Sequence, residues 1–440
     1  MPASEAAALG VDAIEITRGL LRIDSSNYGD DSGPGEIEAA EYAAGQLADS
    51  GIAAEIFTTS SDRRAGVTAH IEGTDRALPP LLLTGHLDVV PAVSSEWDHA
   101  PFAGDIDDDE VLWGRGAVDM KDMVGMSLAV LRHWHRTGYR PRRSIALLLT
   151  PDEEAGGAHG AHWIVKHRPD LLRGATEAVG EVGGFSVTLP NGRRIYPIQT
   201  GEKGLAWITA TLAGTAGHGS LINPDNPVSR LTTGLAALIS HPFGAELTPT
   251  MQTFVSVVSD IVGEPLVLDD MEVLTSQIGA LSAVVGASVR STINPTMLQA
   301  GFKHNIIPSV ASAGMDVRFL PGQEEQVLDR IAQYLPSEVE LSYANHDISL
   351  ETGFDGVVVE AMIAALAAHD PDGVPVPYLM TGGTDGKAFS TAGVRYLGFS
   401  PLKLDPGLPF WGMFHAPNER VPLAALRFGA NVLDDFLRRL

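Results

Sequence analysis

Hydrophobic positions along this chain follow two patterns. Short uninterrupted apolar runs, Leu81-Leu82-Leu83 and Ile145-Ala146-Leu147-Leu148-Leu149, predict strands buried on both faces. Stretches with apolar residues every three to four positions predict helices at residues 12–24, 36–50, 123–134, 228–239, 324–334, 356–368 and 423–440. Further strands are predicted at 53–57, 66–71, 205–212, 279–286, 291–293, 311–320, 339–343 and 394–398. Helices and strands alternate through the first two hundred residues, the pattern of α/β layers. From Glu202 the character changes. Residues 205–212 alternate like a half-exposed strand, and strand–helix–strand content follows as far as residue 343. The expected organisation is an α/β domain formed by 1–202 and 344–440, interrupted by an inserted α+β domain at 203–343.

Length agrees with this division, because 440 residues exceed what one hydrophobic core usually supports. A hydrophobic content of 44% with 19% charged residues describes an ordinary globular chain. The net charge of −25 argues against a nucleic-acid partner and against anionic membrane surfaces, both of which are bound through Lys and Arg. There is no cysteine, so disulfides and thiolate metal sites are excluded and any metal must be held by His, Asp and Glu. Residues 1–11 lack the basic and apolar regions of a signal peptide. No run of about 18 apolar residues is present. These features predict a soluble, cytoplasmic protein.

Candidate chemistry gathers where predicted strands end. The run Leu81 to Thr84 leads into Gly85-His86-Leu87-Asp88, whose His and Asp are two positions apart and share one face of an extended backbone. An imidazole ligand usually gives its second ring N–H to an acceptor such as a carboxylate, and His-x-Asp can supply both parts. With fourteen histidines in the chain, His86 alone also reads as a solvated side chain. A second strand-like piece reaches Asp119 just before a helix, where an N-cap is the competing reading. The strand 144–150 runs into Asp152-Glu153-Glu154, which also suits a helix dipole. Glu181 follows the run Ala178-Val179-Gly180. Ligands of open α/β sheets sit at the carboxyl ends of strands. Four such ends carrying His86/Asp88, Asp119, Glu153/Glu154 and Glu181 match a two-metal carboxylate–imidazole site.

Together with Gly114-Arg115-Gly116-Ala117-Val118-Asp119-Met120-Lys121, Glu181-Val182-Gly183-Gly184, Ala216-Gly217-His218-Gly219-Ser220, Gly382-Gly383-Thr384-Asp385 and His415, these pieces resemble the di-zinc amidohydrolase and peptidase family of aminoacylase-1, succinyl-diaminopimelate desuccinylase and glutamate carboxypeptidase. They occur in the family's order and span nearly the whole chain. The resemblance implies a zinc-peptidase-like mixed sheet flanked by helices, with the insert as lid and dimerisation domain. It implies two zinc ions per subunit, replaceable by cobalt or manganese, with Asp119 bridging them. His86 and Glu181 would complete one site, Glu154 and His415 the other. Asp88 would orient His86, and Glu153 would be the general base. His218 would be a lid histidine reaching into a partner's site in a homodimer. Asn305, Arg318, Gly383 and Thr384 would bind substrate, and the Asp119–Met120 peptide would be cis.

The chemistry so implied is hydrolysis of an amide or peptide bond next to a free carboxylate. Two zinc ions share a water and lower its pKa toward about 7, and Glu153 takes its proton. The resulting hydroxide attacks, the oxyanion is stabilised by zinc and His218, and Arg318 holds the carboxylate. A carboxypeptidase or dipeptidase is the first expectation and an N-acyl-amino-acid deacylase or desuccinylase the second. A catalytically silent metal- or peptide-binding protein would have lost a ligand or the base, and neither is lost here. A magnesium enzyme acting on phosphates fits less well, given the imidazoles and the lack of a Walker-type loop.

Overall fold

A computed structural model describes residues 2–30 and 32–440. The chain forms two compact units: 1–200, 352–378 and 384–440 make the first, and 201–351 with 379–383 the second. The second unit thus extends past the 203–343 expected from sequence, taking in residues through 351 and the short piece 379–383.

The first unit is a mixed sheet between helical layers. Its strands lie in the order Ala54–Thr58, Ala65–Ile71, Ile145–Thr150, Leu81–His86, Glu177–Gly180, Arg395–Gly398 and Arg194–Glu202. The first two pairings are antiparallel, the next three parallel and the last antiparallel. Leu81, Leu83, Ile145, Leu147, Leu149 and Val179 pack into one cluster with the helices Ala3–Leu21, Ile37–Ala48, Lys121–Thr137, Gly356–His369 and Leu423–Arg438. The alternate residues Leu82, Ala146, Leu148 and Ala178 pack on the other face with Ala161–His167 and Gly386–Thr391. Both faces are covered, which is why these strands read as continuous apolar runs.

In the second unit an antiparallel sheet runs in the order Thr292–Ala300, Val310–Phe319, Gly204–Ala213, Glu340–Asp347. Ala206, Ile208, Ala210 and Leu212 alternate into a core closed by the helices Pro227–Ile239 and Glu324–Tyr334, while Trp207 on the opposite face is 43% exposed. Three helices, Pro249–Val262, Met271–Ile278 and Leu281–Ser288, stand between Pro227–Ile239 and the first strand of that order. The strand predicted at 279–286 is therefore a helix. Its buried positions, Leu281, Ser282, Val285, Gly286 and Ser288, fall on a helical stripe, and no period-two alternation competes with it. Among the described residues no helix is long and apolar enough to cross a membrane.

Candidate metal centre

Three parallel strands of the first unit end side by side, and each hands a polar residue to the same place. His86 is the last residue of Leu81–His86, Glu153 and Glu154 form a short turn after Ile145–Thr150, and Glu181 follows Glu177–Gly180. Asp119 comes from the loop before the helix Lys121–Thr137, and its peptide to Met120 is cis. The N-cap position of that helix is Met120, with no side-chain capping bond, so Asp119 is not a cap. Gly85 lies close under the next helix: a Cβ there would stand 2.7 Å from Met120 Cε and 3.1 Å from Val124 Cγ2, so the Met120 side chain would have to shift.

His86 is buried, and its Nε2 faces Asp119 Oδ1 at 3.1 Å, Glu181 Oε2 at 3.5 Å and Glu153 Oε2 at 3.9 Å. Its Nδ1 lies 2.9 Å from the main-chain oxygen of Asp88 and 3.5 Å from Asp88 Oδ1. The nearest orienting acceptor is thus the Asp88 carbonyl rather than its carboxylate. The Asp88 side chain is occupied elsewhere, accepting the N–H groups of Glu153 and Glu154 at 3.1 Å each. His415 approaches from the far end of the chain, with Nε2 at 3.2 Å from Asp119 Oδ2 and 3.0 Å from Glu154 Oε2. Two groups result, His86/Asp119/Glu181 and Asp119/Glu154/His415, and within each the ligand atoms lie no more than 4.8 Å apart. Asp119 belongs to both.

Backbone strain marks the same places. Val182, next to Glu181, has φ 59°, Asp152, next to Glu153, has φ 68°, and His415 itself has φ 61°. A β-branched residue in this region is a true outlier, and such strain persists only where the surroundings hold it.

The electrostatics of the cluster follow from burial and close mutual approach. Burial raises the pKa of Glu181 to about 8, and that of Glu154 to about 7 with help from the neighbouring Asp119. Glu153 is pushed well above its ordinary value by burial and then by Glu181. His415 is raised to about 10 by its hydrogen bonds to Asp119 and Glu154. Burial opposes a charge on His86, yet Glu181, Asp119 and Asp88 lift its pKa well above the usual value. Asp119, pushed up by burial, is nonetheless held low by His415 and His86. Without cations this many carboxylates share a buried space only by retaining protons. Imidazole and carboxylate donors without thiolate suit zinc and neighbouring divalent ions. The donor set fits two of them.

Of the remaining predicted site residues, His218, Asn305, Arg318 and Gly383 belong to the second unit and Thr384 to the first. His218, on the short strand Gly217–His218 of the second unit, is exposed, and its Nδ1 is 2.8 Å from Ser220 Oγ. That strand pairs with Ile306–Ile307, and Gly219 N–H donates to Asn305 O at 2.9 Å, so His218 and Asn305 are neighbours. Arg318, on Val310–Phe319, donates from Nε to Asp316 Oδ1 at 2.7 Å. Thr384 is buried, and its Oγ1 accepts the Gly386 N–H at 3.0 Å.

Several polar residues around the ligands were not picked out from sequence. Asp385 is buried and accepts the Thr150 hydroxyl at 2.5 Å, and burial raises its pKa to about 6. It ends the glycine-rich stretch Gly382-Gly383-Thr384-Asp385, and that is its signal in sequence. Glu419 is fully buried and receives backbone N–H groups from the Asp119 loop; only its place four residues after His415 pointed to it. Nothing in sequence marked Asn27 or Arg64.

The sequence profile of the peptidase family M20/M25/M40 matches residues 82–439. The chain belongs to this family. As a member of the M20 metallopeptidases and amidohydrolases it is a hydrolase. It is 30% identical over 376 residues to the N-fatty-acyl-amino acid synthase/hydrolase PM20D1 of Xenopus tropicalis, covering 81% of this chain and 71% of that protein. With aminoacylase-1 of Sus scrofa it shares 26% identity over 383 residues, 84% of this chain and 81% of the relative. Among solved structures, an M20 family metallo-carboxypeptidase, Sso-CP2 from Sulfolobus solfataricus, has the same fold, with a TM-score of 0.72 and 21% identity over 97% of this chain and 98% of that one.

Proposed function

We propose that this M20 hydrolase cleaves an amide bond next to a free carboxylate, on a small peptide or an N-acyl amino acid, with two divalent cations, zinc by preference. The observation that carries the reading is the pair of ligand groups sharing Asp119, with the Glu153 carboxylate 3.9 Å from His86 Nε2. His86, Asp119 and Glu181 would hold one cation, and Asp119, Glu154 and His415 the other. Cobalt or manganese would suit the same donors. When bound, the two ions supply a Lewis acid for the scissile carbonyl and bring the pKa of a water down toward about 7.

Glu153 is the general base in this reading, not a ligand. Burial and the Glu181 carboxylate give it an affinity for a proton well above that of an ordinary glutamate, which suits a group that takes a proton from water and returns it to the departing amine. Asp88 holds the main chain of Glu153 and Glu154 and orients His86. In the second unit, the Arg318 guanidinium would recognise the substrate carboxylate bidentately, with Asn305, Gly383 and Thr384 also assigned to substrate. His218 would stabilise the oxyanion, from the partner subunit in a homodimer.

Deacylation of N-acyl amino acids is the second reading, favoured by the similarity to PM20D1 and aminoacylase-1 over most of the chain. A panel of dipeptides and N-acyl amino acids, offered to the zinc-loaded protein with Glu153→Ala as control, separates the two. Turnover that disappears in the control supports the amide-hydrolase reading, and the preferred substrate decides between peptidase and deacylase. No turnover on any member by protein carrying two zinc ions would overturn it for these substrate classes.

A further inference from the structure

Asn27 fills all four hydrogen-bonding positions of its side-chain amide beneath the ligand cluster. Its Nδ2 donates to Asp88 Oδ2 at 2.8 Å and to Asp152 Oδ1 at 3.0 Å. Its Oδ1 accepts from Arg64 Nη2 at 2.8 Å and from Gly29 N at 3.0 Å. The residue is 5% exposed, and both carboxylates it serves are buried. Only a primary amide offers two donors and two acceptor positions at such a place; a carboxylate has no donor and a hydroxyl has one.

Asp88 links this amide to the chemistry. One carboxylate accepts the N–H groups of Glu153 and Glu154, and the same residue faces His86 Nδ1. The orientation of the Asp88 carboxylate therefore sets the main chain of the proposed base and of Glu154, a ligand proposed for one cation, while the Asp88 carbonyl faces His86. Asp152 would repel Asp88 were the amide not between them, donating to both. Arg64, 3% exposed, supports the arrangement from behind, with Nη1 on Glu36 Oε1 at 2.5 Å and Nη2 3.6 Å from Asp152 Oδ1. The second oxygen of Asp152 accepts the His159 N–H at 2.8 Å, which ties down the loop following the base.

We propose that Asn27 is a positioning residue of the metal centre, acting through Asp88 and supported by Arg64 and Asp152. The inference rests on the roles assigned above to His86, Glu153 and Glu154. Groups that orient metal ligands typically carry 10- to 100-fold in metal affinity or activity, and the same range is expected here.

The test compares the full-length protein with Asn27→Asp and Asn27→Ser. Asn27→Asp keeps the acceptor for Arg64 and Gly29 but sets a third carboxylate against Asp88 and Asp152. Asn27→Ser leaves room for water where the amide stood. Zinc affinity is measured by competition with a chromophoric chelator, thermal melting on the metal-free protein, and kcat and KM on whichever substrate the wild type hydrolyses. Zinc affinity should fall roughly 10- to 100-fold, most in Asn27→Asp, and kcat should fall while KM stays within about twofold. Folded variants that bind zinc within about twofold of wild type at unchanged kcat would overturn the proposal. If neither variant folds, Asn27 is a structural residue and the proposal likewise fails. Should the wild type hydrolyse nothing in the panel, zinc affinity alone decides: a loss there supports Asn27 even as the amide-hydrolase reading falls.

Discussion

The Glu419 carboxylate accepts the main-chain N–H of Asp119 at 3.0 Å, across 300 residues of sequence. The same side chain takes the N–H groups of Gly116 and Val118 at 3.0 and 2.6 Å and pairs with Arg115 Nη1 at 2.8 Å. Glu419 stands four residues beyond His415, so it fastens the segment carrying one ligand to the loop carrying the shared one. Both partners of the ion pair are buried. Removing one partner of a buried pair typically costs about 3–5 kcal/mol, because the other is left uncompensated. Glu419→Gln is therefore expected to destabilise the metal-free protein by roughly that amount in denaturant unfolding. A loss below about 1 kcal/mol would show that the amide rebuilds these contacts and that the charge contributes little.

The sharing of Asp119 predicts how metal stoichiometry responds to substitution. Glu181 belongs only to the group with His86, and Glu154 only to the group with His415. Glu181→Gln and Glu154→Gln should each leave one tight zinc site per chain, whereas Asp119→Asn should weaken both. Metal analysis after exhaustive dialysis, paired with calorimetric titration, reads this directly. Asp119→Asn protein that keeps one full-strength site would refute a bridging role.

If these residues hold zinc as proposed, their protonation gives its binding a definite pH dependence. In the metal-free protein Glu154 titrates at about 7, raised by burial and by Asp119, and Glu181 at about 8, raised by burial. His415 titrates at about 10 because its partners Asp119 and Glu154 favour its proton. A cation must displace these protons, so its affinity rises with pH as they are removed and falls as they return. Zinc affinity should climb steadily between about pH 6 and about pH 8, with net proton release at neutral pH. Calorimetry in two buffers of different protonation enthalpy counts the protons. An affinity flat over that interval would mean that the free ligands are already unprotonated.

How much of this could be read in advance follows from where each signal lies. The gathering of these side chains was legible because a buried parallel strand reads as an apolar run, and several acids and a histidine at neighbouring strand ends fit one site better than separate structural roles. His86, Glu153, Glu154 and Glu181 all stand at such ends. The alternation of Ala206, Ile208, Ala210 and Leu212 announced the sheet of the second unit in the same way. The helix Leu281–Ser288 was misread because its apolar, partly β-branched composition suits a strand, while its helical burial stripe emerges only in the folded unit. Asn27, Arg64 and Glu419 escaped for a different reason. Gly29 apart, the side-chain partners described for them lie 28 to 304 residues away, and a buried polar side chain with distant partners looks in sequence like any surface one.

His218 gives a prediction about assembly. It is exposed, with Ser220, two residues on, hydrogen-bonded to its ring, so its own strand leaves the imidazole on a surface. If it stabilises the oxyanion from a partner subunit, each site of a homodimer uses Glu153 from one chain and His218 from the other. His218→Ala and Glu153→Ala homodimers should then both be nearly inactive. Mixing them under conditions of subunit exchange forms hybrids in which one site carries both defects and the other carries neither. Statistical mixing makes half of the dimers hybrid, with one intact site of two, so recovery should approach about a quarter of wild-type activity. Native mass spectrometry establishes that exchange has occurred. Hybrids present without any recovered turnover would exclude action in trans and return His218 to its own subunit.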